Sequence, residues 1–190
     1  MERLGIMGGT FDPVHIAHLV AATEARFQLG LDRVLFVVAG DPWQKHGSVE
    51  APADARYEMV TAAIEGIDGC EPSRLEIDRA GPTYTIDTVN ALRAADCECF
   101  LIVGRDVAAS LDTWHAVDEL RAAVTLAIVD REGEHADAPP GWNAVGVNMP
   151  RLDVSSTDLR RRVRTGEPVD FLIPSAAVRV MRARGLYTSR

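Results

Sequence analysis

The chain reads as an α/β protein, a parallel sheet wrapped by helices on both faces. Three observations predict this. Apolar, β-branched runs alternate with amphipathic stretches along the whole chain. The runs Arg33–Val38 and Val124–Val129 are almost continuously apolar, as strands covered on both faces must be. Turn residues separate the segments, while no repeat, low-complexity tract or linker divides them. One domain spanning 1–190 is expected, long enough to bury a sizeable core.

The elements follow in order. Arg3–Met7 is a first buried strand, and Leu19–Phe27 an amphipathic helix. Arg33–Val38 is the second strand, and Gly40–Gly47, with its turn residues, a loop. Ala53–Ile67 carries Tyr57, Met59, Val60 and Ile64 at helical spacing. Arg74–Asp78 alternates apolar and polar and is expected as a strand, followed by a helix over Thr85–Ala95. Glu98–Val103, ending at Gly104, and Val124–Val129 are further strands. Arg131–Trp142 is polar, contains Pro139-Pro140-Gly141 and is expected as an exposed loop. Ser155–Arg160 opens a helix with hydroxyls placed to cap it, and Val178–Arg184 is a basic closing helix stopped by Gly185.

Composition narrows the function. With 47% hydrophobic and 25% charged residues the chain resembles ordinary globular proteins. A net charge of −8 argues against broad nucleic-acid binding, yet it leaves room for small anions held by a few local cations and amides. No apolar run is long enough to span a membrane. The start, Met1-Glu2-Arg3-Leu4-Gly5, lacks a secretory pattern, and Cys70, Cys97 and Cys99 form neither a zinc spacing nor an even disulfide set. A cytoplasmic location with free thiols is therefore expected, and the sequence admits a homo-oligomer.

The most informative stretch is Gly8-Gly9-Thr10-Phe11-Asp12-Pro13-Val14-His15-Ile16-Ala17-His18, placed where the first strand hands over to a helix. In a parallel sheet that junction lies at the carboxyl edge, where phosphates bind. Glycines let the backbone approach an anion closely, and a helix start offers unpaired N–H groups. His15 and His18, three apart, share one side of that helix start. Phosphate binding, a metal pair and plain capping would each suit two histidines. The glycines just upstream favour phosphate, and zinc would want a third protein ligand that is not evident, so no metal site is expected. The Gly-x-Gly-x-x-Gly dinucleotide fingerprint is missing after the first strand.

This stretch resembles the Gly-Thr-Phe-Asp-Pro-x-His-x-x-His motif of the nucleotidyltransferase superfamily. The doubled glycine and Pro-Val-His look most like nicotinate (or nicotinamide) mononucleotide adenylyltransferases. Ala17 stands where the family commonly has glycine. Three further segments carry the likeness: Thr83-Tyr84-Thr85 with Thr88, resembling Ser-Tyr-Thr-x-x-Thr; Gly104-Arg105-Asp106 followed by Trp114, resembling Gly-Ala-Asp and a tryptophan; and Ser155-Ser156-Thr157-Asp158-Leu159-Arg160, resembling Ser-Ser-Thr-x-Ile-Arg. Phe171-Leu172-Ile173-Pro174 and Gly185-Leu186-Tyr187 look like the family's carboxyl end, so the resemblance covers nearly the whole chain.

The resemblance implies a Rossmann-like fold with the nucleotide at its carboxyl edge. It also implies adenylyl transfer from ATP to nicotinate mononucleotide in NAD biosynthesis, giving the deamido dinucleotide and pyrophosphate, with Mg²⁺ as cofactor. By carry-over, Gly8, Gly9, Thr10, Phe11, His15, His18, Gly104, Asp106, Ser156, Thr157 and Arg160 would serve ATP. Asp12, Lys45, Thr83, Tyr84, Thr85 and Trp114 would serve the nicotinate nucleotide. His18, Lys45, Arg160 and His15 would carry catalysis. Lys45 is a loop lysine, a type usually solvated, but its loop follows the second strand and overhangs the same edge. Here Trp43-Gln44-Lys45 replaces the family's Pro-His-Lys. An isolated tryptophan is more often core than ligand-stacking, and both readings of Trp114 stand. Phosphopantetheine adenylyltransferases and cytidylyltransferases share the first motif. Tyr84-Thr85 and Ser155-Ser156-Thr157 favour the nicotinate enzyme, and the number of phosphate-binding side chains disfavours a non-catalytic nucleotide sensor.

Overall fold

The computed structural model describes residues 1–41, 49–79, 81–93, 96–131 and 138–188. Strands β1 (Glu2–Gly9), β2 (Arg33–Val38), β3 (Cys70–Ser73), β4 (Cys97–Gly104), β5 (Thr125–Arg131) and β6 (Ala144–Met149) form one parallel sheet in the order β3-β2-β1-β4-β5-β6. Helices α1 (Ile16–Leu29), α2 (Ala53–Ile64), α3 (Thr85–Arg93), α4 (Arg105–Ala108), α5 (Val117–Ala123), α6 (Ser156–Thr165) and α7 (Ser175–Ala183) join them, with a 3₁₀ turn at Leu111–Thr113.

The near-continuous apolar runs have a simple consequence. Val34, Phe36 and Val38 face one core with α1, α2, α6 and α7. Leu35 and Val37 face the other with α3, α4 and α5. Strands β1, β2, β4 and β5 thus feed both cores with alternate residues, as strands buried on both faces do. From β1 the chain runs outward to β2 and β3, then returns to lay β4 on the other side of β1. That reversal opens a crevice beyond the carboxyl ends of β1 and β4, the usual ligand position in such sheets.

Several boundaries differ from the sequence expectation. The third strand is Cys70–Ser73, and Arg74–Asp78 is a turn instead. There the Asp78 N–H reaches the Arg74 carbonyl at 2.9 Å, and the Arg74 guanidinium meets the Asp78 carboxylate at 3.1 Å. The alternation of 74–78 reflects that turn. Pro72 sits in β3 without cost because β3 is an edge strand. Helix α2 stops at Ile64 rather than Ile67, and α7 begins at Ser175 rather than Val178. Strand β6 and helices α4 and α5 were not anticipated. The caps hold as read: the Ser155 hydroxyl accepts the Asp158 N–H at 3.2 Å, and Gly185 takes φ +60° just past α7.

Candidate active site

A cavity of about 1060 Å³ occupies the crevice. Every described residue expected at the site lines it, from Gly8 through His18, Thr83–Thr85, Gly104, Asp106 and Trp114 to Ser156, Thr157 and Arg160. Lys45 and Trp43 lie outside the described residues.

At the carboxyl ends of the two central strands, Gly8 and Gly104 each have open space where a Cβ would stand. No protein neighbour demands glycine at these two positions, whereas a ligand lying on the backbone would. Gly9 differs: its Cβ would fall 3.0 Å from the Phe11 ring. Phe11 itself adopts φ +49°, strained for a non-glycine residue.

That conformation stacks three rings. Phe11 meets His18 edge-on with centroids 5.0 Å apart, and His18 stacks on His15 at 3.7 Å and 26°. The His15 N–H donates to His18 Nδ1 at 3.2 Å. Nδ1 is therefore an acceptor, and the neutral His18 ring carries its proton on Nε2, ready to donate. Burial pushes the His15 pKa down to about 4, so this ring is neutral near pH 7. Its buried Nδ1 has no hydrogen-bond partner among the described residues.

Asp12 is 2% exposed and fully engaged by the chain. Its carboxylate accepts the Glu50 N–H at 2.8 Å, the Ala51 N–H at 3.1 Å and the Tyr187 hydroxyl at 2.6 Å. Burial first, then Asp12, raises the Tyr187 pKa far above its ordinary value. The Asp12 carbonyl accepts Arg160 Nη1 at 2.8 Å, and Arg160 Nε donates to Glu50 at 2.9 Å. Glu50 also pairs with Arg164, and these two arginines, Arg164 foremost, hold its carboxyl below the usual range. The Ser156 hydroxyl donates to the Pro13 carbonyl at 2.9 Å, tying the start of α6 to the same loop. As expected for most of the arginine run, Arg161 and Arg162 pair with Asp158 and Glu167.

The opposite end of the cavity is built differently. Tyr84 stacks on His115 at 4.1 Å and 27°, and Thr83 Oγ1 donates to the Asp41 carbonyl at 3.4 Å. Trp114 is half-buried: it packs on the α3–α5 core and also lines the cavity. Behind Thr83 lies Glu76, buried, accepting the Thr88 hydroxyl at 3.0 Å. Burial raises its pKa, opposed by the Thr88 and Thr83 hydroxyls. At the third corner Arg105, placed where the family pattern has alanine, donates through Nε to the buried Asp130 at 3.0 Å.

Comparison with known proteins follows the same lines. Residues 6–162 match the cytidylyltransferase-like family. A protein of Saccharopolyspora erythraea named "Probable nicotinate-nucleotide adenylyltransferase" is 45% identical over 98% of this chain and 90% of its own length. The chain belongs to the nicotinate-nucleotide adenylyltransferase family. A member from Clostridium botulinum is 36% identical, covering 98% of each chain. A solved structure of Plasmodium falciparum nicotinic acid mononucleotide adenylyltransferase complexed with NaAD superposes with a TM-score of 0.81 over 98% of both chains. At 18% identity that likeness concerns the fold.

Glu50, Glu76, His115, Asp130 and Tyr187 were not anticipated at the site or behind it. His115 directly follows the motif residue Trp114, a cue that could have found it. Tyr187 belongs to the family-like carboxyl end, but nothing local ties it to the site; Glu50, Glu76 and Asp130 carry no local cue.

Proposed function

We propose that this chain transfers the adenylyl group of ATP to nicotinate mononucleotide, giving nicotinate adenine dinucleotide and pyrophosphate. Carrying this reading is one observation: four separated motifs, spread from Gly8 to Arg160, line a single cavity at the β1–β4 crevice. A 5′-phosphate oxygen of the nicotinate nucleotide attacks the α-phosphorus of ATP. The bond from that phosphorus to the bridging β-oxygen breaks, and the electron pair leaves with pyrophosphate. A phosphate monoester is nucleophilic enough near neutral pH that no general base is needed, so positioning and charge stabilisation carry catalysis.

In this reading the open backbone at Gly8 lies against ATP, with Gly9, Thr10 and Phe11 shaping the loop. His18 Nε2–H, Arg160 and Lys45 donate to the phosphoryl oxygens, with Ser156 and Thr157 at the start of α6 beside them. Neutral His15 holds the His18 ring by stacking and supplies the N–H that sets its tautomer. Asp12 acts through its ties to Glu50, Ala51 and Tyr187, holding the loop instead of touching nucleotide. Gly104 and Asp106 serve the nucleoside of ATP. Thr83, Tyr84, Thr85 and Trp114 receive the nicotinate moiety, with N–H groups at the start of α3 suited to its carboxylate.

Mg²⁺ fits as a companion of ATP, neutralising phosphate charge when bound. Among the described residues no cluster of three or more His, Cys, Asp or Glu is placed to hold an ion, so substrate oxygens and water would supply its coordination. No helix among the described residues is long and apolar enough to cross a membrane.

The test is pyrophosphate release with ATP and Mg²⁺, offering nicotinate and nicotinamide mononucleotide separately. Strong turnover with nicotinate alone supports the reaction and the carboxylate site. Comparable rates with both keep the reaction but remove the carboxylate as discriminator. Release with neither sinks the reading.

A further inference from the structure

Arg56, on α2, is the largest fully buried side chain among the described residues, at 1% exposure. Amphipathic spacing would reserve such a position for an apolar residue, and a buried guanidinium is costly unless its donors are satisfied. Here they are satisfied by carbonyl oxygens. Nη1 donates to Thr10 at 2.7 Å, Nη2 to Ala39 at 2.8 Å and Gly40 at 3.4 Å, and Nε to Ala51 at 3.1 Å. No carboxylate among the described residues forms an ion pair with it, and burial pulls its pKa down while the nearby Asp12 charge opposes that.

These carbonyls come from three separate segments. Thr10 belongs to the glycine loop. Ala39 and Gly40 are where the chain leaves β2, and Ala51 is where it returns before α2. Between Gly40 and Ala51 runs the stretch that contains Lys45. One planar fork therefore sets the spacing of both ends of that stretch and of the glycine loop. Because the Thr10–Phe11 peptide is trans and planar, turning the Thr10 carbonyl toward Arg56 turns the Phe11 N–H away from it. A methionine of similar size would fill the space without desolvating a charge, but it would fix none of these spacings.

We propose that Arg56 is a positioning residue for adenylyl transfer, a clamp holding the glycine loop at Thr10 in register with both ends of the stretch that carries Lys45. The proposal rests on the reading that the loop and Lys45 serve the phosphates.

Arg56→Lys keeps the charge but has a single nitrogen, which cannot span three segments. Arg56→Met removes the charge as well. The Glu50 and Ala51 amides, both bound to Asp12, report the clamp by hydrogen exchange without substrate. Exchange there should quicken about tenfold in Arg56→Lys. At temperatures well below each variant's Tm, kcat should fall about tenfold or more in both variants, while KM for nicotinate mononucleotide stays within about threefold. If Arg56→Met does not fold, Arg56→Lys carries the test. Unchanged exchange, or kcat within about twofold of wild type despite faster exchange, overturns the clamp. Full activity in Arg56→Lys alone would mean that charge, not the fork, is what the site needs, and also overturns it. Wild-type protein that releases no pyrophosphate sinks the proposed reaction itself, and with it any catalytic role for the clamp.

Discussion

At the glycine-loop end of the cavity almost every polar group answers to a distant part of the chain. Asp12 is held from Glu50, Ala51 and Tyr187, Arg160 from Glu50 and Asp12, and Pro13 from Ser156. At the Thr83–Trp114 end the described contacts include a ring stack between Tyr84 and His115 and a long hydrogen bond from Thr83. The first end is cross-braced and the second is propped from behind by Glu76 and Thr88. Adenylyl transfer needs donors fixed where charge develops, and that demand falls on the phosphates. A flat aromatic ring tolerates a softer seat. Changes at the braced end should therefore cost turnover and stability together, while changes at the softer end should cost binding alone.

The largest expected effect is at the braced end. His18→Ala should lower kcat about 10²–10³-fold, comparable with losing one preorganised oxyanion donor. KM for nicotinate mononucleotide should change little, and pyrophosphate release measured across a range of substrate concentrations reads both. Near-normal turnover would break the comparison at its strongest point.

His15 offers a test of bracing by pH. Its folded pKa of about 4 lies below the ordinary 6.5, so the folded state resists protonation that the unfolded chain accepts. Stability should be full above pH 6.5 and decline as pH falls toward 4, by on the order of 3 kcal/mol from this group. Chemical denaturation of wild type and His15→Gln across that window isolates the share of His15. The variant should show the shallower slope.

Tyr187→Phe keeps the ring and removes one donor from a buried carboxylate. About 2 kcal/mol of stability should be lost, seen as a lower denaturation midpoint. Turnover should fall modestly as the loop loosens. A stability loss with turnover untouched would show that bracing and catalysis are separable.

The smallest effect belongs to the softer end. Trp114→Ala should raise KM for nicotinate mononucleotide up to about tenfold, in line with one aromatic stacking contact, and leave kcat nearly unchanged. Unchanged KM with reduced stability would assign Trp114 to the core.

The elements most legible in the sequence are those with strong local patterns. The runs Arg33–Val38 and Glu98–Val103 announce buried strands, and Ser155 announces a capped helix. Strand β6 escapes because Gly146 and Asn148 break its apolar pattern at the sheet edge. The motif residues were legible because each motif falls within about a dozen residues of sequence. The braces were not. Arg56 falls on the apolar face of its helix, but its four carbonyl partners come together only in the fold. Glu76 reads as one residue of an alternating run, and only burial beside Thr83 and Thr88 makes it a prop. Side-chain partners separated by tens of residues leave no periodic trace.

Tyr187 lies 175 positions after the carboxylate it holds. On a ribosome adding about 5–20 residues per second, Asp12 is made early and waits many seconds for its third donor. Until then the carboxylate can draw on the Glu50 and Ala51 amides and on the Arg160 guanidinium 3.8 Å away, but not on the Tyr187 hydroxyl. The glycine loop therefore gains this brace only once Tyr187 has been made.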